Sequence, residues 1–277
     1  MLSRSKITLL FSALLITFGF LSCIDDEENR LQTNVAVEGR EMFDTSFALS
    51  EHLYYIIQPF SFFEQASTDT IPLPGCPIIE IDSVEQRVNL VFNILTECPN
   101  STLERKGRIS LYYTSFNTSE DLTYVEYFDY SVKETTIEGS RLITKRAALE
   151  GNPEFKDAMA SLIVLDEFGS STRVNAEFVH QLVMGTDSLP QISTLGSGGG
   201  RNLAGRAYNF EITTAKIQQY KCINEGIFMP NIGMERWTFE RTVTPAVTHR
   251  INYGESDACD RSASVALSTG EILPMSQ

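Results

Sequence analysis

Segments in which polar and apolar residues alternate fill most of the chain after Gly75. Segment 87–93 alternates with a period of two, and Ile109, Leu111 and Tyr113 occupy every second position of the next one. A strand with this pattern has one apolar face and one wetted face, which is typical of antiparallel sheets. The sequence therefore predicts a mainly β fold, either an extended antiparallel meander or a sandwich.

The predicted strands begin with a hairpin. Strands at 77–82 and 87–93 are separated by a short polar break, which indicates a tight connection between antiparallel partners. The later candidates are 106–114, 122–131, 135–148, 158–165, 172–183, 206–214, 217–222, 234–243, 249–253 and 263–267. The segment 189–202 contains a proline and a run of glycines, so we expect it to interrupt the sheet.

One helix is predicted before the first strand. Phe43, Phe47, Tyr54 and Ile57 recur at helix-compatible intervals. This spacing predicts an amphipathic N-terminal helix at about 41–58, packed at one end of the sheet with its aromatic stripe toward the core.

The first 22 residues have the pattern of a secretory signal. Two basic residues precede fifteen uncharged residues that end at Leu21, and a membrane-spanning helix needs about 20 apolar residues. The following Ser22-Cys23 completes a site that resembles the lipobox of bacterial lipoproteins. This resemblance predicts cleavage of the signal peptide 1–22 and lipidation of Cys23. An ordinary cleaved signal with a coincidental cysteine is the alternative.

An acidic run at 25–28 follows Cys23 and looks like the surface-export signal of Bacteroidetes lipoproteins. The rest of 23–40 is polar with isolated aliphatic residues and buries too little apolar area to order itself. We therefore expect a flexible acidic and polar tether at 23–40 and a single domain at 41–277. The expected location is the outer membrane, lipid-anchored and exposed at the cell surface.

The net charge of the chain argues against some classes of binding partner. Cleavage after residue 22 removes two positive charges, Arg4 and Lys6, and changes the formal net charge from -14 to -16. Such an acidic chain lacks the clustered Lys and Arg of nucleic-acid-binding proteins and is repelled by anionic headgroups. We therefore expect no nucleic acid, a membrane contact through the lipid anchor only, and a glycan or surface protein as ligand.

Four cysteines remain when Cys23 is assigned to the lipid. Cys76, Cys98, Cys222 and Cys259 form an even set, as is usual in exported proteins, and they allow three connectivities. Proximity in sequence favours disulfides between the first two and between the last two. The predicted hairpin would also bring the first pair together.

The sequence shows no recognisable catalytic or metal-binding motif. His52, His180 and His249 are spread singly along the chain, so we expect surface or strand residues and not metal ligands. The glycine run 196–200 is followed by Arg201 and not by the Lys-Ser/Thr of a phosphate-binding loop. We therefore expect no cofactor, no metal and no catalytic residue.

A series of short motifs occurs in a fixed order from Cys76 to Leu273. They are CPIIEID at 76–82, VNLVFN at 88–93, CPN at 98–100, RKGRI at 105–109, IEGSR at 137–141, GNP at 151–153, CI at 222–223 and YGESDACD at 253–260. In this order they resemble a family of uncharacterised cell-surface lipoproteins of Bacteroidetes. The resemblance implies a surface lipoprotein of mostly β structure and supplies no catalytic residue.

Two further features suit a surface protein. Thr70, Ser83 and Ser188 each stand between an aspartate and an aliphatic residue, which resembles the O-glycosylation acceptor of Bacteroidetes. Five tyrosines also cluster at 112–130, where they could pack across strands or stack against a sugar.

The leading hypothesis is a non-enzymatic, lipid-anchored surface module that binds a ligand or contributes to the envelope scaffold. The alternative is a secreted hydrolase that acts on polysaccharide. Glu80 and Asp82 could be nominated as its carboxylates, although alternation on an exposed strand face also explains them. A hydrolase of this kind would require a concave cleft with two facing carboxylates of raised pKa.

Overall fold

A computed structural model describes residues 34–69, 72–93, 98, 103–115, 120–146, 152–185, 189–241, 245–255 and 258–276. The chain divides into two units, Met1–Glu38 and Gly39–Gln277. The predicted signal peptide, the lipidation site Cys23, and the glycosylation positions Thr70 and Ser188 lie outside the described residues.

The helices are α1 (Val35–Ser50), α2 (Leu53–Ile56), α3 (Phe60–Ala66) and α4 (Tyr220–Asn224). Helix α1 begins within the predicted tether, because Asn34 caps it: its Oδ1 accepts the N–H of Ala36 at 3.1 Å. Within the described segments, none of the helices combines the length and apolar content needed to cross a membrane.

The predicted N-terminal helix is confirmed as a helical segment over 35–56, which a turn at 51–52 divides into α1 and α2. The break has a physical cause at the end of α1. Arg141 donates to the carbonyl oxygen of Leu49 at 3.0 Å, and Gln218 donates to that of Ser50 at 3.1 Å. Side chains from the sheet thus bond carbonyls that a continuing helix would bond itself.

The strands are β1 (Ile78–Asp82), β2 (Arg87–Phe92), β3 (Arg105–Ser115), β4 (Glu120–Val132), β5 (Thr135–Arg146), β6 (Glu154–Leu165), β7 (Ser171–Met184), β8 (Pro190–Arg201), β9 (Ala207–Gln219), β10 (Ile232–Phe239), β11 (Val247–Glu255), β12 (Ser262–Ala266) and β13 (Ile272–Ser276). They form one 13-stranded sheet whose order follows the sequence, and the pairings are antiparallel. The prediction of a mainly β antiparallel fold is confirmed, and the arrangement is the meander.

In the unit from Gly39 onward, the helical segment lies against the inner face of the sheet and not at one end of it. Residues 45–57 are all buried. Side chains that contact this segment come from β3 (Arg105), β5 (Arg141), β9 (Lys216) and β11 (Tyr253). Because strands so far apart in the order reach one helical segment, the sheet curves around it, and the helices cover its apolar face.

The glycine-rich segment predicted as a break is strand β8, so that prediction is wrong. A Cβ atom on Gly200 would lie 1.8 Å from the carbonyl oxygen of Arg173, and one on Gly198 would lie 2.6 Å from a ring carbon of Phe210. Glycine is needed here because neighbouring backbone and aromatic rings occupy the space of a side chain. The glycines permit close approach of strands.

Both predicted cysteine pairs are at disulfide distance. The Cα atoms of Cys76 and Cys98 lie 5.6 Å apart, and those of Cys222 and Cys259 lie 5.2 Å apart. The first hairpin is also confirmed, with Asp82 opposite Arg87 across the turn between β1 and β2. Local pairing is therefore the observed connectivity.

Candidate functional site

Charged side chains lie inside the curved sheet, next to the turn between α1 and α2. Glu51 accepts hydrogen bonds from Arg105 Nε at 3.0 Å and from the hydroxyl of Tyr130. Burial acts to raise the pKa of Glu51, but the Arg105 charge and the hydrogen bonds outweigh it and lower that pKa. Glu51 is therefore ionised and paired.

His52 is held in its neutral form beside this pair. Its Nε2 lies 2.7 Å from Arg141 and 2.5 Å from the hydroxyl of Tyr127. An arginine can only donate, so Nε2 accepts and the proton of the neutral ring is on Nδ1, 3.4 Å from Glu51 Oε1. Burial lowers the pKa of His52, and the Arg141 charge adds to this effect despite the nearby carboxylates.

A second group of polar side chains forms a hydrogen-bonded chain from a hydroxyl to an imidazole to a carboxylate. Thr194 Oγ1 lies 2.9 Å from His180 Nδ1, and His180 Nε2 lies 3.1 Å from Asp157 Oδ2. Asp157 also pairs with the guanidinium of Arg141. The same order of groups activates nucleophiles in acyl transfer.

Burial argues against a catalytic role for this group. The exposed fractions of Thr194, His180 and Asp157 are 4%, 1% and 0%. Burial opposes ionisation of Asp157, yet the Arg141 charge and the hydrogen bonds keep its pKa well below the usual range. Because a substrate must reach the nucleophile, these residues are better explained as a structural network that joins β5, β6, β7 and β8.

A third buried group joins α1 to β9, β10 and β11. Lys216 Nζ lies 2.7 Å from Glu235 Oε1, and Glu235 also accepts from Ser46 at 2.6 Å and from Trp237 Nε1 at 2.8 Å. The Ser46 hydroxyl is 2.7 Å from that of Tyr253. These contacts satisfy the buried charges, as low-dielectric surroundings require.

The candidate functional site is a separate cleft of about 570 Å³ beside α2. It lies where β3, β5 and β7 end and β4 and β6 begin. The residues that form its apolar walls include Ile57, Phe60, Leu122, Ile143, Phe155 and Leu182. Its size is within the range of small-molecule sites, and an apolar lining with few polar groups is also typical of them.

Three polar residues in the cleft lining are hydrogen-bonded to one another. Tyr113 donates its hydroxyl to the backbone oxygen of Gln58 at 3.1 Å. The side-chain amide of Gln58 donates to the backbone oxygen of Tyr54 at 2.9 Å and to the hydroxyl of Tyr220 at 3.1 Å. Burial raises the pKa of Tyr113 and of Tyr220, so both remain phenols at neutral pH. The polar wall is thus pre-formed and neutral.

Among the described residues of the cleft lining, the charged ones are Asp121 and Lys145, which face each other on β4 and β5. Asp121 is the single carboxylate among the described lining residues. Glu51 and Asp157 lie elsewhere, and their pKa values are lowered, whereas a general acid needs a raised one. The cleft that a glycoside hydrolase requires is therefore present, but the described residues do not place two facing carboxylates in it.

The histidines considered in the sequence lie inside the protein. His52, His180 and His249 have exposed fractions of 0%, 1% and 0%, because the network around the helix binds the first two. The expectation of a surface or strand residue is therefore wrong for His52, which is buried in a turn, while His180 and His249 are strand residues as expected. Over the described ranges, no group of three or more His, Cys, Asp or Glu is placed to hold a metal ion.

The other residues singled out in the sequence are dispersed. Glu80 and Asp82 lie on β1, outside the cleft lining, and Ser83 is exposed in the turn that follows. Asp82 Oδ1 accepts the backbone N–H groups of Val84 and Glu85 at 3.1 and 3.0 Å. This arrangement leaves Ser83 in solvent, where a modifying enzyme could reach it.

The tyrosine cluster divides between the two faces of the sheet. Tyr127 and Tyr130 are buried against His52, with ring centroids 5.1 and 5.9 Å from the imidazole. Tyr112 and Tyr124 pair across β3 and β4 at 6.2 Å, and Tyr124 is 40% exposed. Cross-strand packing therefore explains most of the cluster.

Sequence reasoning missed the polar wall of the cleft. Gln58 is 55 residues from Tyr113 and 162 residues from Tyr220, and no local pattern links them. The one usable signal was the proline after Gln58, which marks the end of the helical segment that carries it. Comparison of the chain with protein-family models, with curated proteins and with solved structures finds no match.

Proposed function

We propose that this chain is a lipid-anchored cell-surface protein that binds its ligand in the cleft beside α2 and does not catalyse a reaction. The observation that carries the proposal is the cleft itself, with its volume of about 570 Å³ and its pre-formed polar wall. A site whose polar groups are already oriented loses little entropy when a ligand binds.

The anchor is supported by the sequence. The uncharged run that ends at Cys23 and the acidic run behind it match a lipoprotein signal, and they precede the folded unit. Replacing Cys23 with alanine should move the protein from the membrane fraction to the soluble fraction. An unchanged distribution would contradict lipidation.

The absence of catalysis is supported by the chemistry of the cleft lining. Tyrosine hydroxyls and an amide, held by hydrogen bonds, suit recognition, while one carboxylate alone does not supply the pair of carboxyl groups that glycoside hydrolysis commonly uses. Hydrolysis of a glycan from a broad panel, lost in Asp121→Asn, would instead favour the hydrolase alternative.

The binding test uses one variant that fills the cleft and one matched control. Thr123 lies in the cleft lining, and Thr214 is an exposed threonine on β9 outside it. We expect Thr123→Trp to lose binding to ligands found on a glycan array or in an outer-membrane pull-down, and Thr214→Trp to keep it. Equal binding by both variants would show that the cleft is not the site.

A further inference from the structure

We propose that the cleft takes a neutral ligand with an apolar body and one hydroxyl group, and that Gln58 and Tyr220 together bind that hydroxyl. The inference rests on the proposed function, because it names the ligand class of the same cleft. The argument depends on which hydrogen-bonding groups of the polar wall are already used and which are left for a ligand.

Gln58 presents an acceptor. Its side-chain nitrogen donates both hydrogens, one to the backbone oxygen of Tyr54 at 2.9 Å and one to the hydroxyl of Tyr220 at 3.1 Å. These bonds orient the amide, and within the described ranges no side chain or backbone group donates to its Oε1. An amide oxygen has two lone pairs, so Gln58 is left with acceptor capacity.

Tyr220 presents a donor. Its hydroxyl oxygen accepts from Gln58, so its own hydrogen is directed elsewhere. The ring packs edge-on against Tyr54, with centroids 5.1 Å apart and an interplanar angle of 73°, which restrains its position. Burial raises the pKa of Tyr220, more than the Gln58 hydrogen bond lowers it, so the donor hydrogen is present at neutral pH.

A donor beside an acceptor matches a hydroxyl group, which is both. A carboxylate would place a second acceptor against Gln58 Oε1, and an ammonium would leave the Tyr220 hydrogen without an acceptor. Groups left unpaired in this way cost binding free energy. Asp121 and Lys145 carry opposite charges on adjacent strands, so the described part of the lining has no net charge with which to select an ion.

The walls require the rest of the ligand to be apolar. Ile57, Leu122, Ile143 and Leu182 cannot bond hydroxyl groups, and a sugar that fills the cleft would bury several hydroxyls against them without partners. A ligand with one hydroxyl on an aliphatic or aromatic skeleton instead buries apolar surface there. The lining thus favours an apolar alcohol over a sugar.

The test uses the neutral fluorescent probe N-phenyl-1-naphthylamine and three competitors of equal chain length: 1-octanol, octanoate and octylamine. We expect the probe to bind the wild-type chain and Thr214→Trp, but not Thr123→Trp. Octanol should displace it at concentrations about tenfold lower than the two ions, which corresponds to about one hydrogen bond.

The Tyr220→Phe variant tests the polar wall directly. This variant keeps the ring, so it should still bind the probe while the preference for octanol falls to within about threefold of the ions. Gln58→Met serves as a second variant, with the same expectation. Displacement by octanoate or octylamine as effective as by octanol, or an unchanged preference in both variants, would overturn the inference.

Failure of the inference is distinguishable from failure of the proposed function. If the probe does not bind the wild-type chain, but Thr123→Trp abolishes binding to a glycan or protein ligand, the cleft is a binding site for another class of ligand and this inference is wrong. If Thr123→Trp leaves all binding unchanged, the proposed function itself is wrong.

Discussion

Acidification should destabilise this protein at pH values well above the ordinary pKa of a carboxyl group. His52 and His180 are buried, and burial is the main cause of their lowered pKa values. The unfolded chain therefore binds more protons than the folded chain once the pH falls below the ordinary histidine pKa. Stability rises with pH wherever the unfolded state binds more protons, so it should fall on going to acid.

The magnitude follows from the unfolded-state pKa of about 6.5. At pH 5.5, a histidine that stays neutral in the folded chain lowers the free energy of unfolding by RT ln 11, about 1.4 kcal/mol, so the two together lower it by about 2.8 kcal/mol. Glu51 and Asp157 have lowered pKa values, and their stabilising contribution is lost only below about pH 4. They therefore do not contribute between pH 7.5 and 5.5. Asp44 acts in the opposite direction, because burial raises its pKa to about 6 and the folded chain binds a proton there that offsets part of the histidine effect.

Trp237, the only tryptophan and buried, reports unfolding by its fluorescence. Urea titrations at pH 7.5 and 5.5, with disulfides oxidised, measure the difference in the free energy of unfolding. The variant His180→Gln should make the pH-dependent loss about 1.4 kcal/mol smaller than in the wild-type chain. Equal stability at the two pH values, or greater stability at pH 5.5, would refute the assignment of both imidazoles as buried and neutral.

Three further predictions concern the Arg141–Asp157 ion pair, the glycines of β8 and the second disulfide. Arg141→Met leaves Asp157 buried without its cation and should lower the free energy of unfolding by about 3–5 kcal/mol, as measured by urea titration. The double variant Arg141→Met with Asp157→Leu should recover most of this loss. Equal stability of the single and double variants would contradict the pairing. Gly200→Ala places a Cβ 1.8 Å from the carbonyl oxygen of Arg173. We expect Gly200→Ala to lower the free energy of unfolding by more than about 2 kcal/mol, and Gly205→Asn, which places its side chain in open space, to lower it by less than about 1 kcal/mol. Equal losses for the two variants in urea titrations would contradict this explanation. Replacing Cys222 and Cys259 together with serine opens a crosslink between residues 37 apart and should cost about 4 kcal/mol. An unchanged thermal midpoint would count against that bond.

Local patterns identified the features of the fold that depend on neighbours in sequence. Alternation located the β1–β2 hairpin, and its geometry paired Cys76 with Cys98. Where the outcome depended on side chains and backbone of the neighbouring strands, the same reasoning failed. The glycines of β8 look like a loop until Arg173 and Phe210 are placed beside them.

The buried networks were not predicted, because a charged residue in an alternating pattern is assigned to the wetted face. Arg141 and Asp157 are both fully buried, which is tolerable only because each neutralises the other across adjacent strands. Sequence periodicity contains no information on that pairing. The polar wall of the cleft is a similar case, since Gln58 and Tyr220 meet only when segments 162 residues apart in the chain come together.

The sequence by itself determined that this chain is a mostly antiparallel β protein with two local cysteine pairs, because strand alternation and hairpin geometry are set by residues close together in the chain. Only the tertiary structure decided that the sheet curves around its helix, that charges lie inside it, and that a neutral cleft opens beside α2. Those outcomes depend on contacts between residues far apart in sequence. Such contacts contribute to stability only when the chain has folded and brought these residues together.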